Sequence, residues 1–494
     1  MDVIDRFFAT AASRGEHLAV QANVESVSYK ELSLLSRKFA CAFATNESPK
    51  VLIAYEQGPL AYAAMLGTML AGGFYVPVSV NAPSEKIAAI CASFRPTLIV
   101  GSDAMLGQLR RLAPLSIVIE TAQIQAIEPY TVSVARNRIA YVIFTSGSTG
   151  QPKGVIISHI ALAHYIDWVI DAHLFRASDR VSQYTNIAFD VSVLEIFGGL
   201  CAGATIIPFV SQSEKMYPAQ LVKSRGITVW ISVPSVIRLM MSAKQLTAIY
   251  LATVRRLFFA GEPLLEPYVE GIFTVRPDAD IWNAYGPTET TVTMTCQRLE
   301  ANSYSSVIRH SVALGDTIPG MEVHLIGGEA KDFGEIVIVG PQLADGYWNA
   351  PDQTAKAFRR IDINGRKTHA YFSGDWGEVV DGRLYFKNRI DDQVKINGVR
   401  IELGEVATAI RQLGFADVVV LKQDDELVAV IQAASGVTQE LNPGEIKNLL
   451  LQKLDRYAVP SRFVAVSEFP RNQNDKTDLR AIAQLVEHAQ QHSR

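Results

Sequence analysis

Along its first hundred residues the chain switches repeatedly between apolar residues at helical spacing and continuous apolar runs, and that alternation confines it to a layered α/β fold. Between Tyr29 and Ala44 the residues Leu32, Leu35, Phe39 and Phe43 recur at helical spacing, and Lys50 to Tyr55 then reads as a buried strand. The rhythm continues with a helix over Leu60 to Leu70, a break at Gly72-Gly73, an extended run from Phe74 to Val80, a helix over Ser84 to Phe94 and a strand over Thr97 to Val100. Further on, Ile227 to Ile231 and Val254 to Phe259 are short β-rich runs between helical stretches. Strands this apolar are covered on both faces, which predicts largely parallel sheets flanked by helices.

Composition changes near residue 330. Gly334 to Gly340 and Gly382 to Phe386 predict a β-rich module spanning about 305–390. The last hundred residues differ again: Asp417 to Lys422 and Glu426 to Gln432 flank the polar turn Gln423-Asp424-Asp425, a hairpin signal. Asn442-Pro443-Gly444-Glu445 then offers an N-cap, a proline at the first helical position and an acidic residue in the first turn of a helix running to about Leu454. A chain of 494 residues is long enough for two or three domains. The expected division is a large multi-subdomain α/β part, 1–390, and a small mobile α+β domain, 391–494.

Apolar residues at 48% and charged residues at 19% exclude a disordered or fibrous chain. The net charge of −4 lacks the electrostatic footprint of a nucleic-acid binder. Cys41, Cys91, Cys201 and Cys296 are far apart and form no C-x-x-C pair, so reduced thiols in a cytoplasmic protein are expected. The acidic start Met1-Asp2-Val3-Ile4-Asp5 is unlike an export signal. Val191 to Val210, the longest greasy stretch, contains Glu195, Gly198, Gly199, Gly203 and Pro208, which argues against a membrane span.

The most informative segment is Tyr141-Val142-Ile143-Phe144-Thr145-Ser146-Gly147-Ser148-Thr149-Gly150-Gln151-Pro152-Lys153-Gly154. A strand runs into a loop whose glycines let backbone N–H groups approach a phosphate, whose hydroxyls donate, and whose lysine adds charge. It is not a Walker A loop, because Lys153 is followed by Gly154 and the strand-like Val155-Ile156-Ile157 rather than by Ser or Thr opening a helix.

Four further segments follow in order: Asn283-Ala284-Tyr285-Gly286-Pro287-Thr288-Glu289-Thr290-Thr291, Tyr371-Phe372-Ser373-Gly374-Asp375, Arg389 through Glu405, and Asn474-Asp475-Lys476-Thr477-Asp478. With the loop they resemble the adenylate-forming superfamily, which holds acyl-CoA synthetases, luciferases and the adenylation domains of nonribosomal peptide synthetases. The resemblance covers essentially the whole chain. It implies ATP and Mg²⁺ as cofactors, with Thr145, Ser146, Gly147, Ser148, Thr149, Gly150 and Lys153 around the phosphates. Asn283, Ala284, Tyr285, Gly286 and Thr288 would meet the adenine side, Asp375 and Arg389 the ribose, and Glu289 the magnesium. Lys476 would be the catalytic lysine bridging the substrate carboxylate and the α-phosphate, although Asp475 stands where the family usually has glycine. Asp391 falls at the hinge position, and Lys395, Gly398 and Arg400 in the loop that faces an incoming thiol.

Asp190, after Phe189, matches the aspartate that pairs with a substrate ammonium in the amino-acid-activating branch. A buried ammonium needs such a partner. By the same resemblance Val191, Leu194, Ile231, Phe258, Ala260, Gly261, Ala284, Val292 and Thr293 surround the substrate. They are almost all apolar and none is charged, which favours proline, alanine or valine. D-Alanine:carrier protein ligases and prolyl ligases are both similar; the former would be expected to carry a cysteine at Ala260, and chirality stays open. Neither a condensation motif nor a phosphopantetheine serine motif is visible, and only eighteen residues follow Lys476, so the acceptor is expected to be a phosphopantetheinylated carrier protein acting in trans. An acyl-CoA synthetase using free coenzyme A is the alternative that Asp190 opposes.

Overall fold

The computed structural model describes the chain except for residues 24, 45–47, 133, 148–150, 329, 364, 391–392, 416–417, 424, 433–441, 467, 471–480 and 487–494. It divides into two compact units, the first formed by Met1–Asn81, Ile90–Phe144 and Lys153–Ile390, the second by Ala82–Ala89, Thr145–Pro152 and Asp391–Arg494.

The alternating pattern of the first unit produces two large sheets. Nine strands form one, in the order Asp316–Thr317, Thr295–Leu299, Asp280–Tyr285, Arg256–Ala260, Val229–Ser232, Arg180–Gln183, Thr205–Pro208, Leu18–Gln21 and Ser26–Ser28. Its central pairings, from Leu18–Gln21 across to Asp280–Tyr285, are all parallel, and antiparallel pairs close both edges. The other has seven strands, in the order Gly346–Tyr347, Lys153–Ser158, Ile139–Thr145, Phe74–Pro77, Lys50–Ala54, Leu98–Gly101 and Ile117–Val118. Helix Tyr29–Phe43 starts with a capping box, Ser28 accepting from the Glu31 N–H while the Glu31 carboxylate accepts from the Ser28 N–H. The helix read over Ser84 to Phe94 has those same bounds. The strand expected from Phe74 to Val80 stops at Pro77, since Pro77 has no N–H to continue the ladder. The β-rich module is a wholly antiparallel five-stranded sheet whose long central strand, Arg366–Val380, pairs with Phe333–Val339, Phe358–Ile363 and Arg383–Arg389.

The greasy stretch after Asp190 is interrupted as its sequence suggests: helical turns run to Ala202 and a strand, Thr205–Pro208, follows. Val191–Val193, a π-helical turn over Leu194–Gly198 and Gly199–Ala202 follow one another, and Gly203 in the left-handed conformation ends the run. Its glycines serve packing: a Cβ on Gly199 would stand 2.4 Å from Ile206 Cδ1, and one on Gly198 would stand 2.7 Å from Phe175 Cε2. No helix among the described residues is long and apolar enough to cross a membrane.

In the second unit, the hairpin Gln393–Ile396 and Val399–Glu402 precedes helix Leu403–Arg411 and a three-stranded sheet of Val418–Gln423, Glu426–Gln432 and Arg462–Val466. The hairpin read from sequence around residue 424 is present, and helix Pro443–Leu450 is capped by Asn442, whose side chain accepts from the N–H groups of Gly444 and Glu445. It ends four residues before Leu454, which follows in a turn. Ile396, Ile401, Val406, Ile410, Leu427 and Leu450 share this unit's core.

Candidate active site

Residues assigned by resemblance to the amino acid lie on one face of the nine-stranded sheet. Parallel register places Ile231 opposite Phe258 and Ala260 opposite Ala284, and directly opposed residues project to the same side. These four share one buried core with Leu194 and Val292, and Val191 packs against it. Gly261, at φ +95°, turns the chain off the end of the strand. Thr293 is fully buried and its hydroxyl accepts from Tyr165 Oη at 3.3 Å. Asp190 heads the helix Val191–Val193, yet its side chain makes no capping hydrogen bond there.

Two devices shape this end that the motifs did not reveal. The first is Glu195, fully buried inside the π-helical turn. Its Oε1 accepts from the Tyr184 N–H at 3.0 Å, the Thr185 N–H at 3.3 Å and the Thr185 hydroxyl at 3.3 Å, and Oε2 accepts from Gln183 Nε2 at 3.4 Å. Burial pushes the carboxyl well up while those four donors pull it down. The carboxyl thereby clamps the start of the loop that runs from strand Arg180–Gln183 to Asp190. Gln183 is held in turn by Tyr62 at 2.9 Å and by Gln57 at 2.7 Å, and Gln57 accepts from Lys215 Nζ at 3.0 Å.

The second device is the turn after Tyr285. Thr291 and Val292 have φ of 57° and 71°, a conformation that is costly for β-branched residues. Gln342, fully buried, holds it: its Nε2 donates to the carbonyls of Thr293 at 2.7 Å and Thr290 at 3.2 Å, its carbonyl accepts from Thr291 Oγ1 at 2.7 Å, and its Oε1 lies 2.9 Å from His164 Nδ1. Gly286 is required here, because a Cβ would stand 2.6 Å from the Val292 carbonyl oxygen.

Among the residues assigned by resemblance to the nucleotide, Asp375 and Arg389 are cross-strand neighbours that form an ion pair, both largely buried. Asp375 Oδ2 also accepts from Tyr285 Oη at 2.6 Å, and Arg389 Nη2 donates to the Ser373 carbonyl at 3.2 Å. Burial, and the Asp375 carboxylate beside it, push the Tyr285 hydroxyl far above its usual range, so it remains a donor. Asn283 donates through Nδ2 to the Ala313 carbonyl at 2.9 Å. Thr288 and Glu289 lie in the short 3₁₀ turn Thr288–Thr290. Glu289 is fully buried, with Oε1 accepting from Tyr347 Oη at 2.7 Å, and Lys153 Nζ stands 5.0 Å from the centre of the Tyr347 ring. Among the described residues no three His, Cys, Asp or Glu side chains converge on a metal position. A single hard carboxylate suits Mg²⁺, which takes one or two carboxylates and fills its remaining positions with phosphate oxygens and water.

In the second unit, Ser146 Oγ donates to the Arg400 carbonyl at 2.6 Å, and Lys395 faces Arg400 across a hairpin whose turn residues Asn397 and Gly398 have φ of 48° and 74°. That is the Asn-Gly turn geometry of tight hairpins. Thr145 ends the strand Ile139–Thr145, and Gly147 follows Ser146. Ser148, Thr149, Gly150, Asp391 and Lys476 lie outside the described residues. Tyr347, Gln342 and Glu195 were missed because each reads in sequence as ordinary core or break; only a buried charge within an apolar run pointed to Glu195.

Layered α/β sheets, a β-rich module, a small α+β unit and this residue set define an adenylate-forming enzyme. Residues 7–348 match the family model described as AMP-binding enzyme, and the chain belongs to that family, as an AMP-forming ligase. It is 30% identical to the D-alanine–D-alanyl carrier protein ligase of Listeria welshimeri, over 98% of this chain and 99% of that protein, and 28% identical to the ligase of the same name from Staphylococcus aureus, again over 98% and 99%. Among solved structures it is similar to the Vibrio cholerae adenylation domain AlmE in complex with glycyl-adenosine-5'-phosphate, with a TM-score of 0.84, 26% identity and 98% of each chain covered.

Proposed function

We propose that the protein activates D-alanine with ATP and passes it to the phosphopantetheine thiol of a separate carrier protein. The observation that carries this reading is similarity to D-alanyl carrier protein ligases over nearly their whole length. It is favoured over proline or valine although Ala260 occupies the position where a cysteine was expected. The glycyl adenylate held by AlmE supports a small substrate and makes glycine the second reading. Bulky Ile231, Leu194 and Phe258 around the small Ala260 and Ala284 suit a methyl or hydrogen side chain.

In this reading a carboxylate oxygen of the amino acid attacks the α-phosphorus and pyrophosphate leaves; the thiol then attacks the acyl carbon and AMP leaves. Asp190 pairs with the substrate ammonium. Asp375 and Arg389 hold the ribose, while Asn283, Ala284, Tyr285, Gly286 and Thr288 hold the adenine side. Lys153 and residues 145–150 contact the phosphates. Glu289 would hold Mg²⁺, which when bound neutralises phosphate charge. Lys476 bridges the two reacting anions and stabilises the charge that builds between them. Residues 391–494 act as a lid hinged at Asp391, with Lys395, Gly398 and Arg400 facing the thiol.

Pyrophosphate exchange with D-alanine, L-alanine, glycine, L-proline and L-valine tests the substrate. D-Alanine is expected to give the highest kcat/KM, and a preference for L-proline or L-valine would overturn the reading. Thioester formation on holo-carrier protein but not on free coenzyme A is expected as well. Lys476→Ala should reduce exchange by at least about a hundredfold while ATP binding changes little.

A further inference from the structure

A tyrosine outside the recognised motifs stands between two charged side chains of the phosphate end. Tyr347 is 6% exposed; its hydroxyl donates to Glu289 Oε1 at 2.7 Å and its ring centre lies 5.0 Å from Lys153 Nζ. The backbone around it fastens the same two places. Tyr347 lies opposite Val155 in an antiparallel pair, the Trp348 N–H donates to the Gly154 carbonyl at 2.7 Å, and the Ala344 N–H donates to the Glu289 carbonyl at 2.8 Å. The Phe358 ring, 5.8 Å away and edge-on, and a hydrogen bond from the Tyr347 N–H to Thr354 Oγ1 at 2.9 Å fix the tyrosine itself.

We propose that Tyr347 is a positioning residue that aligns the metal-binding carboxylate and the phosphate-binding lysine through two separable contacts, its hydroxyl to Glu289 and its ring face to Lys153. This rests on the roles proposed above for Glu289 and Lys153. A hydroxyl donor favours the ionised carboxylate and fixes the orientation of its carboxyl group. The ring face attracts an ammonium without donating or neutralising it, so a flexible lysine is localised with its charge intact for phosphate. A merely space-filling residue would need neither the hydroxyl nor the aromatic face.

Calorimetric titration of the full-length enzyme with ATP, in EDTA and across a series of MgCl₂ concentrations, separates the two contacts. Y347F is expected to bind ATP in EDTA within about twofold of the wild type, but to need about tenfold more MgCl₂ for half of the metal-dependent gain in affinity. Y347L should show that change and also bind ATP about fivefold more weakly in EDTA. A wild-type MgCl₂ dependence in Y347F overturns the hydroxyl contact, and equal EDTA affinities for Y347F and Y347L overturn the ring contact. Y347F differs from the wild type by one atom, so it decides the hydroxyl contact even if Y347L does not fold. E289Q should lose the MgCl₂ effect. If it keeps it, the role of Glu289 fails; if it loses it while Y347F does not, only the role of Tyr347 fails.

Discussion

The two ends of the site are held in opposite ways. Among the residues assigned to the nucleotide, Asp375, Arg389 and Tyr285 compensate one another through side chains, although Gly374 at φ +73° and a shift of register mark a bulge beside Asp375: the carboxylate takes the guanidinium and the phenol. At the amino-acid end the backbone itself is distorted, into a π-helical turn over Leu194–Gly198 and two consecutive positive φ angles at Thr291 and Val292. The side chains that hold those distortions, Glu195 and Gln342, are fully buried. On the proposed assignments the difference is instructive: the candidate nucleotide contacts are side chains that short motifs can carry, whereas the candidate amino-acid pocket rests on strained backbone held by the buried Glu195 and Gln342. Local strain of this kind persists only where surroundings over-determine it.

The largest test of that contrast is Glu195→Ala. It leaves the N–H groups of Tyr184 and Thr185 without their acceptor in a buried place, so we expect a stability loss of about 3 kcal/mol in urea unfolding. In the surviving folded enzyme the KM for the amino acid should rise while that for ATP stays within about twofold. Equal rises in both would erase the distinction between the ends. Gln342→Ala is expected to cost less, about 2 kcal/mol, because it frees two carbonyls and one histidine contact, whereas Glu195→Ala removes the acceptor of four donors. It too should weaken the amino acid selectively; an unchanged amino-acid KM would show that the Thr291–Val292 conformation is held without Gln342.

How much of this was legible follows the same division. Helix Tyr29–Phe43, helix Ser84–Phe94 and the buried strands were readable because period and capping residues are local properties. Motif spacing marked Asp375, Arg389 and Glu289 as candidates for a similar reason. Glu195 appeared only as a flaw in a greasy stretch, since nothing local announces that its donors come from residues 183–185. Gln342 is further removed: it acts on a turn about fifty residues earlier in the chain, a contact made by tertiary packing that no local pattern announces. Tyr347 has no distinguishing pattern because its partners, Lys153 and Glu289, are distant in sequence and its type is as common in cores as in sites.

The smallest expected effect lies at the nucleotide end, where Arg389→Lys keeps the charge but removes the planar fork. Arg389 reaches both Asp375 and the Ser373 carbonyl, and a lysine ammonium can satisfy one of them at a time. Asp375 would keep a cationic neighbour and its bond from Tyr285, so stability should fall by only about 1 kcal/mol. The KM for ATP should rise about threefold to tenfold, with the KM for the amino acid unchanged and kcat for pyrophosphate exchange nearly preserved. A loss as large as that of Glu195→Ala would mean that the proposed nucleotide end is not a set of mutually compensated side chains. It would then depend on one buried geometry as strictly as the amino-acid end does, and the contrast between side-chain and backbone encoding would fall.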